Sequence, residues 1–363
     1  MPADDPTSSI ADVARDNDVL LCCGTGGVGK TTVAAALALG AAKAGRNVVV
    51  VTIDPARRLA DALGLRGISN DCVRVDGTGP GELWVTMLDT KATFDRLIER
   101  YAADDAQAAR ILENRYYRNL STTLSGTREF MAMERLYELH HDERFDLVVV
   151  DTPPSRNALD FLDAPDKLAR FLDGRLFRLA APGRKVTRRV TAPFIVFLRR
   201  VARVVSPEVV DDTLAFIEAF GGMEEGFRER AAAVDALMGD TDTAFVLVAA
   251  PTAETIEETT FFAERLRSAD LPVGALVLNR LQPRFGASPW AWPDDVASLS
   301  SAARAQLDVL AHLTALSDAE EAELTPLIEL CSEAALARIH QLDHDVHDLD
   351  GIAEITERLD SWE

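Results

Sequence analysis

Cysteine is scarce in this 363-residue chain: there are four, at positions 22, 23, 72 and 331, and no two form a C-x-x-C pair. That spacing excludes a paired-thiolate zinc site. Cys22 and Cys23 stand side by side in an apolar run, where they read as small buried hydrophobes. Lysine is nearly as scarce. Only Lys30, Lys43, Lys91, Lys167 and Lys185 contribute to 38 basic residues, and the remainder are arginine. Acidic residues number 59, so the net charge is −21. This balance argues against a nucleic-acid binder, because phosphate-tracking surfaces are basic. No apolar run reaches the roughly 18 residues of a membrane-spanning helix. The polar, acidic first residues lack a signal-peptide pattern, and the expectation is a cytoplasmic protein. There is no internal repeat. What is present in quantity is hydrophobic residue, 47% of the chain, enough for one large α/β domain with insertions.

The chain is organised around Leu20 to Thr32, LLCCGTGGVGKTT. Gly24, Gly29, Lys30 and Thr31 satisfy G-x-x-x-x-G-K-[ST], the phosphate-binding P-loop. Glycines let successive backbone N–H groups converge on a phosphate. The expected cradle is Gly26, Gly27, Val28 and Gly29, followed by Lys30, Thr31 and Thr32. Lys30 reaches the β- and γ-phosphates, Thr31 offers its hydroxyl to Mg²⁺, and the helix N-terminus adds positive potential. Val19 to Cys23 predicts a buried strand and Thr31 to Ala44 an Ala/Leu-rich helix, the order the motif requires. ATP and Mg²⁺ are therefore the expected ligands.

Met1 to Asn17 reads as a loose tail with some helix, outside a single domain at 18–363. Strands are predicted at Asn47 to Ile53, Leu83 to Leu88, Asp146 to Val150, Ala244 to Val248, Val273 to Leu278 and Arg338 to Leu342. Helical patterns fill Ala92 to His141, with a break near Ser121 to Gly126, and much of 165–240. Segments 92–142 and 165–240 are the expected helical insertions. A loop with Trp and Pro precedes two further helices, and a last helix closes the chain at Gly351 to Leu359. Strands alternating with helices predict a doubly wound, mostly parallel sheet of about eight strands. Ligands in such sheets bind beyond the carboxyl ends of the strands. The P-loop, Asp54, Asp151 and Asn279 all follow predicted strand ends, so they should converge.

Asp151 ends the run DLVVV and fits a Walker B carboxylate that orients Mg²⁺. Asp54 is the candidate for positioning or deprotonating the attacking water, or else the N-cap of the helix that follows. Asn279 can pair with the adenine edge, or simply occupy a turn. The oxygen donors expected around Mg²⁺ are Thr31, Asp54 and Asp151.

Four motifs occur in one order: GTGGVGKTT at 24–32, DPA-x-x-LAD at Asp54 to Asp61, DTPPS at Asp151 to Ser155, and VLNR at Val277 to Arg280. In this the chain resembles the arsenical-pump-driving ATPases and the related ATPases that target tail-anchored proteins. The resemblance implies that Asp54 lies in switch I and handles the water, and that Asp151 to Ser155 opens switch II. It further implies that Asn279, with Arg280 beside it, meets the nucleotide base and that the loop after Leu342 covers it. It implies a dimer with ATP at the subunit interface. Two departures stand out. The family's loop begins Gly-Lys-Gly-Gly, with a lysine that crosses to the partner's nucleotide, and this chain has Thr25 there. The zinc-binding C-x-x-C of some targeting ATPases is absent, as are counterparts of the pump's arsenite-binding cysteines. Thr25 leads to the expectation of a heterodimer with a paralogous subunit that supplies the lysine, a homodimer being the other arrangement. The alternatives are a partitioning-type ATPase and a nucleotide-binding regulatory subunit with little hydrolysis of its own.

Residues 165–205 concentrate basic charge in an acidic protein, with nine arginines from Arg170 to Arg203. Within them Val190, Phe194, Phe197, Leu198, Val201, Val204 and Val205 recur at helical spacing. This is either an ordinary core-facing helix, a groove for a hydrophobic client, or a surface for an anionic membrane.

Overall fold

The computed structural model of the protein describes residues 9–54, 58–65, 69–115, 117, 127–154, 163, 215–216, 219–285 and 300–360. The chain divides into two compact units, one of residues 1–87, 142–158 and 239–363, the other of residues 88–141 and 159–238.

The first unit is built on an eight-stranded sheet. Its strands are β1 (Val19–Gly24), β2 (Val48–Thr52), β3 (Val73–Val75), β4 (Leu83–Met87), β5 (Leu147–Asp151), β6 (Thr243–Ala249), β7 (Val273–Leu281) and β8 (Ala335–His340). They lie in the order β3-β4-β2-β5-β1-β6-β7-β8. Every pairing is parallel except β3 with β4, which is antiparallel at the edge. The sequence explains the central strands. VLLCCG, VVVVT and LVVVD lack polar alternation, and every residue in them is buried, as a parallel sheet covered on both faces requires. The expected doubly wound α/β architecture is present.

Helix α1 (Ile10–Asp16) and helix α2 (Lys30–Lys43) lie on this unit. Alanine favours helix and has almost no side chain, so α2 can settle closely on its neighbours; ten of its residues are buried. The closing helix α10 (Leu349–Asp360) packs against α2, and the Thr356 hydroxyl donates to the Ala36 carbonyl at 3.0 Å. Three further helices belong to this unit: α3 (Arg58–Ala62), α8 (Ala253–Ser268) and α9 (Ser301–Leu330).

Several expectations need correction. Residues 10–16 are not tail. Ser9 and Asp12 form a reciprocal capping box, and Ile10, Val13 and Ala14 are buried in the core; an apolar i, i+3, i+4 face behind a cap folds where it has something to cover. Among the described residues one helix, α9, stands where two were expected after the Trp/Pro loop, because its Ala- and Glu-rich run contains no breaker before Pro326. The helix absorbs that proline in its last turns, where the Thr325 hydroxyl donates to the Glu321 carbonyl at 2.8 Å. The last strand is 335–340 rather than 338–342. Strand β3 was not foreseen, since three residues are too few for a pattern.

The second unit is helical where it is described: α4 (Thr90–Tyr101), α5 (Asp105–Leu112), α6 (Thr127–His140) and α7 (Glu224–Met238). Asp89 and Asp104 cap α4 and α5, accepting from the N–H groups of Ala92 and Gln107. Its core is aromatic. Phe227 meets Phe94, Tyr101 and Phe220 at centroid distances of 6.2, 5.5 and 5.0 Å. Among these side chains lies a buried ion pair, Glu134 to Arg230 at 3.0 Å, with the Arg230 guanidinium 4.0 Å from the Tyr137 ring centroid. The basic, apolar-striped stretch 190–205 and the break at 121–126 lie outside the described residues.

Candidate functional site

Strand β1 ends between β5 and β6, and its last residue pairs with Val248. A Cβ at Gly24 would run into the Val248 carbonyl oxygen, so only glycine lets the chain turn there. Gly29 then takes a left-handed conformation, φ 96°, as N-cap of α2. A Cβ on Gly29 would strike the Asn279 amide. The turn throws the first residues of α2 into a cleft of about 490 Å³ lined by Gly26, Gly27, Gly29, Lys30, Thr31, Thr32, Asp54, Asp151 and Arg280, together with Asp61, Thr152, Pro154 and His347. Four strand ends supply these groups, as the topology predicts.

Lys30 is buried and its ammonium donates to the Thr25 carbonyl at 2.6 Å. Asp151 is 1% exposed. Its Oδ2 accepts two hydroxyls, from Thr31 at 2.8 Å and from Thr52 at 2.9 Å. Burial pushes the Asp151 carboxyl up from the ordinary carboxylate range, while the Thr31 and Thr52 hydroxyls and the Lys30 ammonium pull it back. Thr152 follows and donates to the Cys22 carbonyl at 2.7 Å, tying the end of β5 to β1. Cys22 and Cys23 are buried, as expected; burial raises both thiols, Cys23 to about 12, so neither is a nucleophile at neutral pH.

A second cavity, about 680 Å³, shares Gly29, Thr32, Arg280 and Val346 with the first. It adds Asn279, His340 and the loop Gln341 to Asp345. Asn279 is held on both sides: its amide donates to the Val28 carbonyl at 2.7 Å, and its oxygen accepts from the Arg280 N–H at 2.9 Å. Arg280 has φ 62° where the β7–β8 ladder changes register. A left-handed non-glycine residue at a bulge is a small stored strain that re-aims a side chain, and here it sits beside both cavities.

Of the expected nucleotide residues, Val28 alone turns its side chain away. It is 1% exposed within the sheet-unit core, because the loop needs an apolar plug under it, and only its backbone serves the site. Pro55, Ala56 and Ser155 lie outside the described residues. Sequence reasoning missed Thr52. Its signal was a hydroxyl closing an all-valine strand, VVVVT, one pairing away from LVVVD.

A glycine loop, a buried lysine and an α-helix at the carboxyl edge of a parallel sheet define a P-loop nucleoside-triphosphatase fold. A family model described as anion-transporting ATPase matches residues 17–290. The chain belongs to that family and carries its ATPase domain. Among similar proteins are the ATPase GET3 of Malassezia globosa, 29% identical over 42% of this chain and 44% of its own length, and the ATPase GET3B of Arabidopsis thaliana, 27% identical over 72% and 63%. An uncharacterized Streptomyces coelicolor protein is 32% identical over 73% of this chain and 62% of its own. A putative arsenical pump-driving ATPase of Halobacterium salinarum is 30% identical over 45% and 26%. The chain thus spans less than two thirds of the length of each of these relatives. Among the described residues no helix is long and apolar enough to cross a membrane.

Proposed function

We propose that this chain is an ATP hydrolase that holds MgATP across the two adjoining cavities, phosphates at the P-loop and base beside Asn279. The observation that carries the reading is the set Thr31–Asp151–Thr52 beside the buried Lys30 ammonium, in a cleft that also takes in Asp54. The donors are hard oxygens, which fit Mg²⁺. Thr31, Asp151 and Asp54 hold the ion directly or through water, and when bound it neutralises charge on the β- and γ-phosphates. Lys30 leaves the Thr25 carbonyl for the phosphates, which offer its charge a stronger partner. Asp54 orients the attacking water and takes its proton. Asp54→Asn should therefore keep ATP affinity and lose about 10²-fold or more in turnover, the scale of a general base. Unchanged turnover in single-cycle kinetics would reduce Asp54 to a helix cap.

The assembly follows from Thr25. Where the family resemblance calls for a crossing lysine, this chain has a short, buried hydroxyl that finds no hydrogen-bond partner among the described residues. Charges supplied across such interfaces contribute roughly 10³–10⁵ in turnover where an arginine finger does the equivalent task. The chain accordingly pairs with a paralogue carrying the lysine and is slow alone. Co-expression with that paralogue raises turnover, and mutating the partner's lysine removes the gain; equal activity of the lone chain contradicts the pairing. Helix α1 and residues 18–363 act as one ATPase domain in this reading. Insertions 92–142 and 165–240 move with nucleotide state and present a hydrophobic client or membrane surface through 165–205. Phe194→Asp should abolish that capture and leave ATP binding intact, whereas a large drop in melting temperature would assign the stripe to the core.

A further inference from the structure

Thr52 has no part in the motifs, yet its side chain is bonded directly to Asp151. It closes β2, is 2% exposed, and sits opposite Asp151 in the β2–β5 register. The backbone is locked on the same side, where the Ile53 N–H donates to the Asp151 carbonyl at 3.2 Å. Its hydroxyl donates to Asp151 Oδ2, the same oxygen that accepts from Thr31.

A hydroxyl carries a single hydrogen. The Thr31 hydrogen is spent on Asp151 Oδ2, which leaves the Thr31 lone pairs for a cation. That arrangement works only while the Asp151 carboxylate does not rotate about its Cβ–Cγ bond. The Thr31 hydroxyl holds Oδ2 from the helix side only. Thr52 supplies a second, fixed donor from the neighbouring strand. Two hydroxyls on one oxygen hold the carboxylate plane and turn Oδ1 to the opposite side.

We propose that Thr52 is a positioning residue for the magnesium site: it orients the Asp151 carboxylate, so that Thr31 and Asp151 present oxygen to the cation together. The inference rests on the nucleotide-site reading above. It makes Thr52 responsible for the advantage that Mg²⁺ gives to nucleotide binding, and not for the binding of the nucleotide itself. Valine has nearly the shape of threonine and no donor; serine keeps the donor and loses a methyl.

The test is calorimetric affinity of the full chain for a non-hydrolysable ATP analogue, measured with Mg²⁺ and again with EDTA. In the wild type, Mg²⁺ should tighten binding. Thr52→Val should lose about tenfold or more of that increment, the scale of one hydrogen bond to a charged group, with affinity in EDTA unchanged. Thr52→Ser should restore it. Thr52→Ala gives the same comparison should the valine variant fail to fold. A full wild-type increment in both Thr52→Val and Thr52→Ala, or loss of the increment in Thr52→Ser, would overturn the proposal while leaving the site intact. Absence of nucleotide binding by the wild type, or binding untouched by Lys30→Ala, would instead bring down the site itself.

Discussion

Asp151 in the sheet unit and Glu134 in the helical unit are both carboxyls from which water is excluded, at 1% and 0% exposure. Burial raises both, Glu134 to about 7. Their compensation differs. Asp151 is met by two neutral hydroxyls on one oxygen, and it faces a cleft that also holds Lys30, Arg280 and His347. Glu134 has its cation built in, Arg230, and that guanidinium is itself stacked on Tyr137. A carboxylate oriented by hydroxyls still has charge to offer a ligand. Glu134 instead faces a cation of its own fold, Arg230, and serves to join helices α6 and α7. Two acids with similar burial therefore read as a binding group and a structural group.

The largest effect that could break this comparison is on the structural side. Arg230→Met leaves Glu134 buried without its cation and should cost about 3–5 kcal/mol, the usual penalty for halving a buried pair; a denaturant melt reads it. A loss under about 1 kcal/mol, within the range of an exposed pair, would mean that the aromatic core, and not the pair, holds α6 to α7.

Next comes the binding side. Asp151→Asn can accept the same hydroxyl hydrogens at its amide oxygen, so its melting behaviour should change by no more than about 1 kcal/mol. Turnover should fall about 10²-fold or more, since the charge that orients Mg²⁺ is gone. A collapse in stability with normal affinity for nucleotide would exchange the roles of the two acids.

A smaller effect sharpens the comparison through pH. Glu134 holds its proton more tightly folded than unfolded, so the native state binds more protons between about 4.5 and about 7. Its contribution to stability is complete below the unfolded value and is lost as pH rises through the folded one. Glu134→Gln should flatten that slope and leave nucleotide affinity unchanged. A slope that survives in the variant would assign it to other groups.

The smallest effect concerns the base cavity. Asn279→Ala removes the bond to the Val28 carbonyl and should weaken ATP binding by only about 1 kcal/mol, or fivefold. A loss as large as that of Lys30→Ala would mean that Asn279 holds the P-loop itself in shape.

Much of this molecule could be read in advance because local chemistry and global fold agree in it. VLLCCG, VVVVT and LVVVD can only be buried strands, and GTGGVGKTT dictates its own turn. The edge was harder. Strand β3 has three residues, and its antiparallel pairing with β4 leaves no mark on the sequence. Helix α1 looked like tail because its amphipathic face is only three residues wide. Thr52 was invisible as a site residue for a different reason. Its partner is 99 residues away, and only the β2–β5 register brings a strand-end hydroxyl to a strand-end carboxylate. Glu134 and Arg230, 96 positions apart in sequence, are likewise joined only by the packing of α6 on α7.

The most direct test of the nucleotide site is the affinity of the full chain for ATP, measured by calorimetry on the wild type and on Lys30→Ala. The ammonium that now rests on the Thr25 carbonyl is the one P-loop side-chain charge available to the phosphates. The wild type should bind one ATP per chain, and Lys30→Ala should lose tight binding while melting as a folded protein. Equal affinity in the two proteins would contradict the assignment of this cleft to nucleotide.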